Sequence, residues 1–395
     1  MLTEYSRKSE DWRMRRMFAG VVVTGSLILI MLRVLSPSEE KSRIKSNFTI
    51  TYWDPAPHSE LGLDLQAKYE VRNSSYKFQQ HSIPYLKIKT GQSFNNRCSK
   101  RLQLRPFSIS PAGSEAEMFF LETTGRSWLT PREACALESA AKFSRLRVNI
   151  IFTSPFMDTY DNSTCYLYKT VDNIHFYTIQ LKEIFGGTPL EGFHTRASIR
   201  ESKFRHVHLS DALRLALIYK AGGFYSDLDT VTIRDLSGHQ NVIGATYKDG
   251  NTTLPHLANG DFHFKRKHPL LLFTMQGLAK IYRGKKRTEV GPLLITQATR
   301  MLYKVTDVGT LQTSQITVMP PSFFYPAKSF EVGSLWTEKP MAFSDWFLFL
   351  ENSKMVHFYG SQTNMLVVER NPSHELYAVL GPRYCPVSYW SSTHF

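Results

Sequence analysis

The chain has 395 residues, 42% of them hydrophobic and 21% charged, with a formal net charge of +14. That balance excludes disordered and fibrous classes and leaves room for one large catalytic domain or two small ones. The surplus of positive charge suits a nucleic acid, an anionic membrane surface or a nucleotide diphosphate, and charge alone does not choose among them.

From the N-terminus, Met17 to Leu32 carries no charged side chain and is bracketed by Arg13, Arg15 and Arg16 before it and Arg33 after it. At about 1.5 Å per residue this run reaches about 24 Å, so Val34 and Leu35 are needed for a short bilayer span. A cleaved signal peptide is the rival reading, but no convincing small-x-small cleavage site follows Leu32. The preceding basic cluster predicts a cytosolic tail (1–16), a signal-anchor (17–35) and a lumenal remainder. The sequons at Asn47, Asn73, Asn162 and Asn251 and all four cysteines lie beyond the span. Cys98, Cys135, Cys165 and Cys385 match no zinc spacing. In an oxidising lumen they are disulfide candidates, with three pairings open. A nuclear or cytosolic nucleic-acid binder is thereby disfavoured.

Residues 36–112 are polar, with scattered Pro and Ser and no sustained periodicity, and read as a stem. Glu117 to Glu122 (EMFFLE) predicts a buried strand. Pro131 to Phe143 predicts a helix capped by Thr130 with Pro131 in its first turn, and Leu146 to Phe152 a second strand. This β-α-β order calls for parallel pairing with a right-handed crossover. Val171 to Ile179 predicts a third strand, within a lumenal domain spanning 113–395.

Residues 208–233 (HLSDALRLALIYKAGGFYSDLDTVTI) carry the chemistry. Ser210 is the expected N-cap of an amphipathic helix, Asp211 and Arg214 share a face of it, and Gly222-Gly223 ends it. A strand then leads from Phe224 into Asp227-Leu228-Asp229. Extended chain would turn both carboxylates to one side, where they repel unless a cation lies between them. Their hard oxygens suit Mg²⁺ or Mn²⁺ bound to a nucleotide diphosphate. Asp-x-Asp alone also occurs in ordinary surface loops, and Asp211 with Arg214 could be a solvated ion pair.

The run Leu209-Ser-Asp-Ala-Leu-Arg214, then Gly222-Gly-Phe-Tyr-Ser-Asp-Leu-Asp229, resembles the DXD glycosyltransferases, in particular the α1,4-galactosyl- and α1,4-N-acetylglucosaminyltransferase group. Further matching stretches are Phe119-Phe-Leu-Glu-Thr123, Cys135-Ala-Leu-Glu-Ser-Ala-Ala141, Leu257-Ala-Asn-Gly260, Gly291-Pro292, Phe324-Tyr-Pro326, Val356-His-Phe358 and Arg383-Tyr-Cys-Pro386. The resemblance implies an α/β fold of GT-A type, a Rossmann-like mixed sheet flanked by helices. It also implies a UDP-sugar donor, Mn²⁺ (or Mg²⁺) on Asp227 and Asp229, and retention of the anomeric configuration. By the same resemblance Asp211, Arg214, Tyr225 and Asn259 lie at the donor sugar, and Glu122 and Thr123 near the nucleoside. His357 is either a third metal ligand or a structural histidine. Asp261 stands where the group has a small or apolar residue. It reads as an ordinary polar side chain in preference to one touching the acceptor or attacking the anomeric carbon. With no clear nucleophile, front-face substitution is favoured over double displacement.

The expected activity is α1,4 transfer of galactose or an N-acetylhexosamine to a galactose- or GalNAc-terminated glycan, with a glycolipid as acceptor. The expected setting is the Golgi membrane, with a homodimer left open. Trp336, Trp346 and Trp390 could stack on an acceptor sugar or simply fill the core. A non-catalytic Golgi sugar-binding protein of the same fold is the alternative. A metal-dependent phosphatase would require more metal ligands than can be placed.

Overall fold

The computed structural model describes residues 101–111, 113–159, 162–247, 255–328, 348–366, 368 and 376–391, and two short strands, Val71–Arg72 and Ser75–Tyr76. Those two strands pair antiparallel within the unit Met1–Thr90, separate from Gly91–Phe395, which carries all that follows. The expected tail, anchor and most of the stem lie outside the described residues, as do Cys98, Asn47, Asn73, Asn251, Trp336 and Trp346 and the side chain of Asn162. No described helix is long and apolar enough to cross a membrane.

The elements in chain order are β1 (Arg101–Gln103), β2 (Arg105–Pro106), β3 (Glu117–Glu122), α1 (Pro131–Phe143), β4 (Arg147–Phe152) and β5 (Phe156–Asp158). Next come α2 (Asn162–Thr170), β6 (Ile174–Thr178), α3 (Leu181–Phe185), α4 (Ala197–Arg200), α5 (Arg205–Ala221), β7 (Gly223–Ser226) and β8 (Thr230–Thr232). The remainder is β9 (Val242–Ala245), β10 (Leu257–Phe264), α6 (Pro269–Ile281), α7 (Pro292–Tyr303), β11 (Thr317–Met319), α8 (Pro321–Phe324), β12 (Met355–His357), α9 (Gly360–Thr363), α10 (Leu376–Tyr384) and α11 (Pro386–Ser391).

Among the described residues the main sheet has eight strands in the order β11-β9-β10-β7-β3-β4-β6-β2. β3 lies between β4 and β7 and is parallel to both, as the β-α-β reading requires. β10 runs antiparallel to β7 and to β9, which makes the sheet mixed. Along β3 the side chains alternate between two cores. Phe119 and Leu121 join the cluster built on α5, α6 and α7, while Met118 and Phe120 pack with Ala134 and Leu137 of α1. A strand buried on both faces reads as an unbroken apolar run, which is how EMFFLE reads.

α1 begins where its signals place it. Thr130 accepts from the Glu133 N–H while the Glu133 carboxylate accepts from the Thr130 N–H, a reciprocal cap. The third strand is shorter than expected, Ile174–Thr178. Ser210 is not an N-cap: α5 starts a full turn earlier, and the Ser210 hydroxyl lies inside it, accepting from Arg214 Nη2 at 2.8 Å.

Candidate active site

α5 ends at Gly222 and Gly223, both at positive φ (76° and 102°). A Cβ on Gly223 would come within 2.5 Å of the Ser114 carbonyl oxygen, so only glycine lets the chain turn back into β7 there. β7 stops at Ser226. Asp227-Leu228-Asp229 is therefore a turn rather than the extended strand expected, with Leu228 half-buried against the α1-side core. Neighbours on both sides fix the turn. The Asp227 N–H donates to the Gly260 carbonyl of β10 at 2.8 Å, and the Phe358 N–H, just past β12, donates to the Asp229 carbonyl at 2.8 Å.

The two carboxylates converge despite the turn. β8 pairs antiparallel with β12, placing His357 opposite Thr230. Asp227, Asp229 and His357 each offer a ligand atom within 4.8 Å of the others. His357 Nε2 lies 3.7 Å from Asp227 Oδ2 and 3.2 Å from Asp229 Oδ1. Asp229 Oδ2 accepts the Gly360 N–H at 2.6 Å, whereas its Oδ1 is buried without a well-aligned hydrogen bond. The wall here is a glycine: a Cβ on Gly260 would sit 2.9 Å from Asp227 Oδ2 and 3.2 Å from His357 Nε2.

Arg214 and Asp211 are no solvated pair. Both are 6% exposed. Arg214 Nη1 lies 2.9 Å from Asp227 Oδ1 and donates to the Asn259 carbonyl at 2.8 Å, and its guanidinium sits 4.5 Å above the Tyr225 ring. The Tyr225 hydroxyl donates to Asp227 Oδ1 at 2.8 Å, and Asn259 Nδ2 to Asp211 Oδ1 at 2.8 Å. Gly291 closes this side, since a Cβ there would meet Asp211 Oδ2 at 3.0 Å. Asp211, Arg214, Tyr225, Asp227, Asp229, Asn259 and His357 thus form one connected group.

Their charges are unequal. Burial pushes the Asp211 and Asp229 carboxyls above the ordinary range. At Asp227 burial is outweighed by Arg214, His357 and Tyr225, and its carboxyl lies below that range. Burial would lower the His357 imidazole, but Asp229, Asp227 and Asp261 outweigh it and lift it to about 9. Two oxygen donors and an imidazole, with an under-satisfied carboxylate oxygen and a glycine wall, fit a divalent cation, which would displace the His357 proton on binding.

Beside the turn opens a cavity of about 430 Å³ lined by Asp227, Asp229, Arg126, Arg132, Thr130 and Tyr377. Glu122 does not face it as a free acceptor. Its carboxylate is taken up by the Thr124 and Gly125 N–H groups (3.1 Å each), the Thr124 hydroxyl (2.5 Å) and Arg126. Thr123 ends up with its carbonyl 3.5 Å from His206 Nδ1. Asp261 is fully buried, accepting from the Ser226 hydroxyl at 2.7 Å. It is a polar side chain held inside the fold by β7. Trp390 is 44% exposed and packs edge-on against Tyr389.

Gly360 and Arg132 escape a reading by motif. The Gly360 contact is made by backbone alone, and Arg132 acts at a distance, donating to the Thr363 and Leu366 carbonyls so that α1 holds the segment bearing Gly360.

Residues 131–249 match the glycosyltransferase sugar-binding region containing the DXD motif, and 263–392 the α1,4-glycosyltransferase conserved region. The chain is 28% identical over 292 residues to the lactosylceramide 4-alpha-galactosyltransferase of Rattus norvegicus, covering 70% of this chain and 76% of that one. It is 30% identical over 217 residues to the alpha-1,4-N-acetylglucosaminyltransferase of Homo sapiens, covering 52% and 62%. Among solved structures, the galactosyltransferase LgtC with donor and acceptor sugar analogs aligns at TM-score 0.37 and 15% identity, over 69% of this chain and 95% of that one. The two matched regions meet at the cluster of Asp227, Asp229 and His357, and together they make the chain similar to the α1,4-glycosyltransferases that carry a DXD sugar-binding region.

Proposed function

We propose that this protein transfers galactose or an N-acetylhexosamine from a UDP-sugar, in α1,4 linkage and with retention, to a galactose- or GalNAc-terminated glycan on a glycosphingolipid. The observation that carries this reading is the convergence of Asp227, Asp229 and His357 on one point beside buried Arg214 and Asp211. A bound Mn²⁺ would draw off the negative charge that develops on the departing diphosphate. The chain's own residues do the rest. Arg214 holds Asp227 in place through a charge-assisted contact, and the Gly360 N–H holds Asp229. Asp211, fixed by the Asn259 amide, offers its Oδ2 to sugar hydroxyls, and the Gly291 backbone shapes the wall beside it. A GT-A assignment is consistent with the mixed sheet and with the site at the end of β7.

Residues 1–16 are proposed as a cytosolic tail, 17–35 as a type II anchor, 36–112 as a stem and 113–395 as the lumenal catalytic domain, resident in the Golgi membrane. The basic residues before Met17 and the bonded cysteines support that orientation.

Transfer from UDP-galactose, UDP-GalNAc and UDP-GlcNAc to lactosylceramide-like acceptors tests the reading. Chelation should abolish transfer and Mn²⁺ should restore it, and Asp229→Asn should lower kcat/KM by at least about a hundredfold. Turnover by the Asp227→Ala/Asp229→Ala variant equal to that of the wild type would refute the assignment.

A further inference from the structure

The donor site leaves most of the +14 charge without a role, and part of it is concentrated on one face. From the last turn of α6 toward α7 the chain reads Lys280-Ile-Tyr-Arg-Gly-Lys-Lys-Arg287, and Lys280, Arg283, Lys285, Lys286 and Arg287 are all exposed. The loop's own carboxylate is spent on the backbone: Glu289 accepts the N–H groups of Arg283, Lys285 (2.9 Å) and Lys286 (3.4 Å). The loop is thereby wrapped around its acid. Arg283 donates to the Lys280 and Tyr282 carbonyls, and the side chains of Lys285, Lys286 and Arg287 face solvent.

The loop and the end of α6 are anchored to the stretch from Arg196 to His208, which includes α4 and the start of α5. Ser202 donates to the Gly284 carbonyl at 2.8 Å, Arg196 to the Ala279 carbonyl at 3.0 Å, and His208 Nε2 lies 3.2 Å from the Arg287 carbonyl. That stretch adds exposed Arg200, Lys203 and Arg205 against one exposed acid, Glu201, so the face stays strongly basic. None of these basic side chains forms an ion pair among the described residues. Two aliphatic side chains flank the loop, Ile281 at 53% and Leu293 at 43% exposed. The patch also borders the active site. Gly291, four residues past Arg287, lies against Asp211, and His206 next to Arg205 reaches the Thr123 carbonyl.

We propose that this surface docks the catalytic unit onto the anionic headgroups of a lipid bilayer, with Ile281 and Leu293 entering the interface. A basic patch with exposed aliphatics is the pattern that binds such surfaces, by charge and by apolar burial together. An acceptor sugar on a lipid lies close to the headgroups, and docking beside Asp211 would hold the donor site over it. That purpose rests on the glycolipid reading above, whereas the docking itself does not.

The full chain is reconstituted in vesicles with Leu293→Cys carrying an environment-sensitive dye. On vesicles with a fifth of the lipid as phosphatidylserine the dye emission should shift to the blue, and on phosphatidylcholine alone it should not. The Lys285→Gln/Lys286→Gln/Arg287→Gln variant should lose the shift. That variant should also raise KM for bilayer-embedded acceptor roughly ten- to a hundredfold, at about one decade or less per charge removed, while KM for a soluble glycoside with the same terminal sugar stays fixed. Identical emission for wild type and variant on both vesicles would overturn the proposal. So would a shift with a soluble polyanionic glycan and none with vesicles, which would assign the patch to an acidic glycan. A charge-dependent shift in a protein that transfers no sugar would leave the docking standing and remove the glycosyltransferase reading.

Discussion

Asp261 has only one firm partner, the Ser226 hydroxyl, while its Oδ2 and the adjacent Tyr325 hydroxyl are buried without well-formed hydrogen bonds. Burial lifts its carboxyl from 3.8 to about 7, a difference equivalent to roughly 4 kcal/mol. The sign follows from proton binding. Between those values the unfolded chain has lost its proton and the folded protein keeps it, so stability falls as pH rises through the window from 3.8 to about 7 and levels off above it. Asp261→Asn keeps the shape and the Ser226 contact but has no charge to bury. With metal chelated, its melting temperature should match the wild type near pH 4 and exceed it increasingly up to pH 8. A gap that is the same at both ends would mean that Asp261 does not titrate in this way. Nothing in the local pattern Asn259-Gly-Asp-Phe262 distinguishes such an acid from a surface one, because its buried neighbours, Ser226 of β7 and Tyr325, come from distant parts of the chain.

At the scale of the element, what could be read from the sequence was what local chemistry decides. Thr130, Pro131 and Glu133 together specify the start of α1, and Gly222-Gly223 the end of α5, since each signal acts within a single turn of chain. The start of α5 was misread for a physical reason. Its first turn is held by His208, whose ring nitrogens meet the Tyr282 hydroxyl at 2.9 Å and the Arg287 carbonyl at 3.2 Å, partners far along the chain. The Asp-x-Asp triplet turned out to be a turn because β10 and β12 clamp its two ends. Its metal-binding character survives the change of conformation, since convergence depends on where the clamps place it. The junction of α5 and β7 should be intolerant. Gly223→Ala would put a methyl within 2.5 Å of the Ser114 carbonyl and 2.8 Å of the Glu117 carbonyl, at a φ of 102°. We expect a loss of at least about 2 kcal/mol in chemical denaturation. A loss below about 0.5 kcal/mol would show that the junction relaxes freely.

Across the whole molecule, long-range pairing was the least legible level, and the cysteines show why. Sequence allowed three pairings. The fold selects Cys135 with Cys385, 250 residues apart and 4.9 Å between Cα atoms, because α10 and α11 pack on α1, and Cys165 is disulfide-bonded as well. Glu138 of α1 strengthens the same seam, its buried carboxylate accepting the Val387 and Ser388 N–H groups. This seam supports the active site through one core that contains both cysteines, Val231 of β8, Val356 of β12 and Phe358. Asp229 and His357 lie on the same two stretches of chain, so loosening the seam should loosen their spacing. By the chain-entropy argument a loop of this length is worth at most about 5 kcal/mol, on the order of 10 °C in melting temperature. Cys135→Ser/Cys385→Ser should therefore melt lower. At temperatures where it is still folded, it should also need several-fold more Mn²⁺ for half-maximal activity, because the ligand atoms are no longer held within one spacing. Lower stability with an unchanged metal requirement would separate the seam from the site and leave β8 and β12 as sufficient support for the metal ligands.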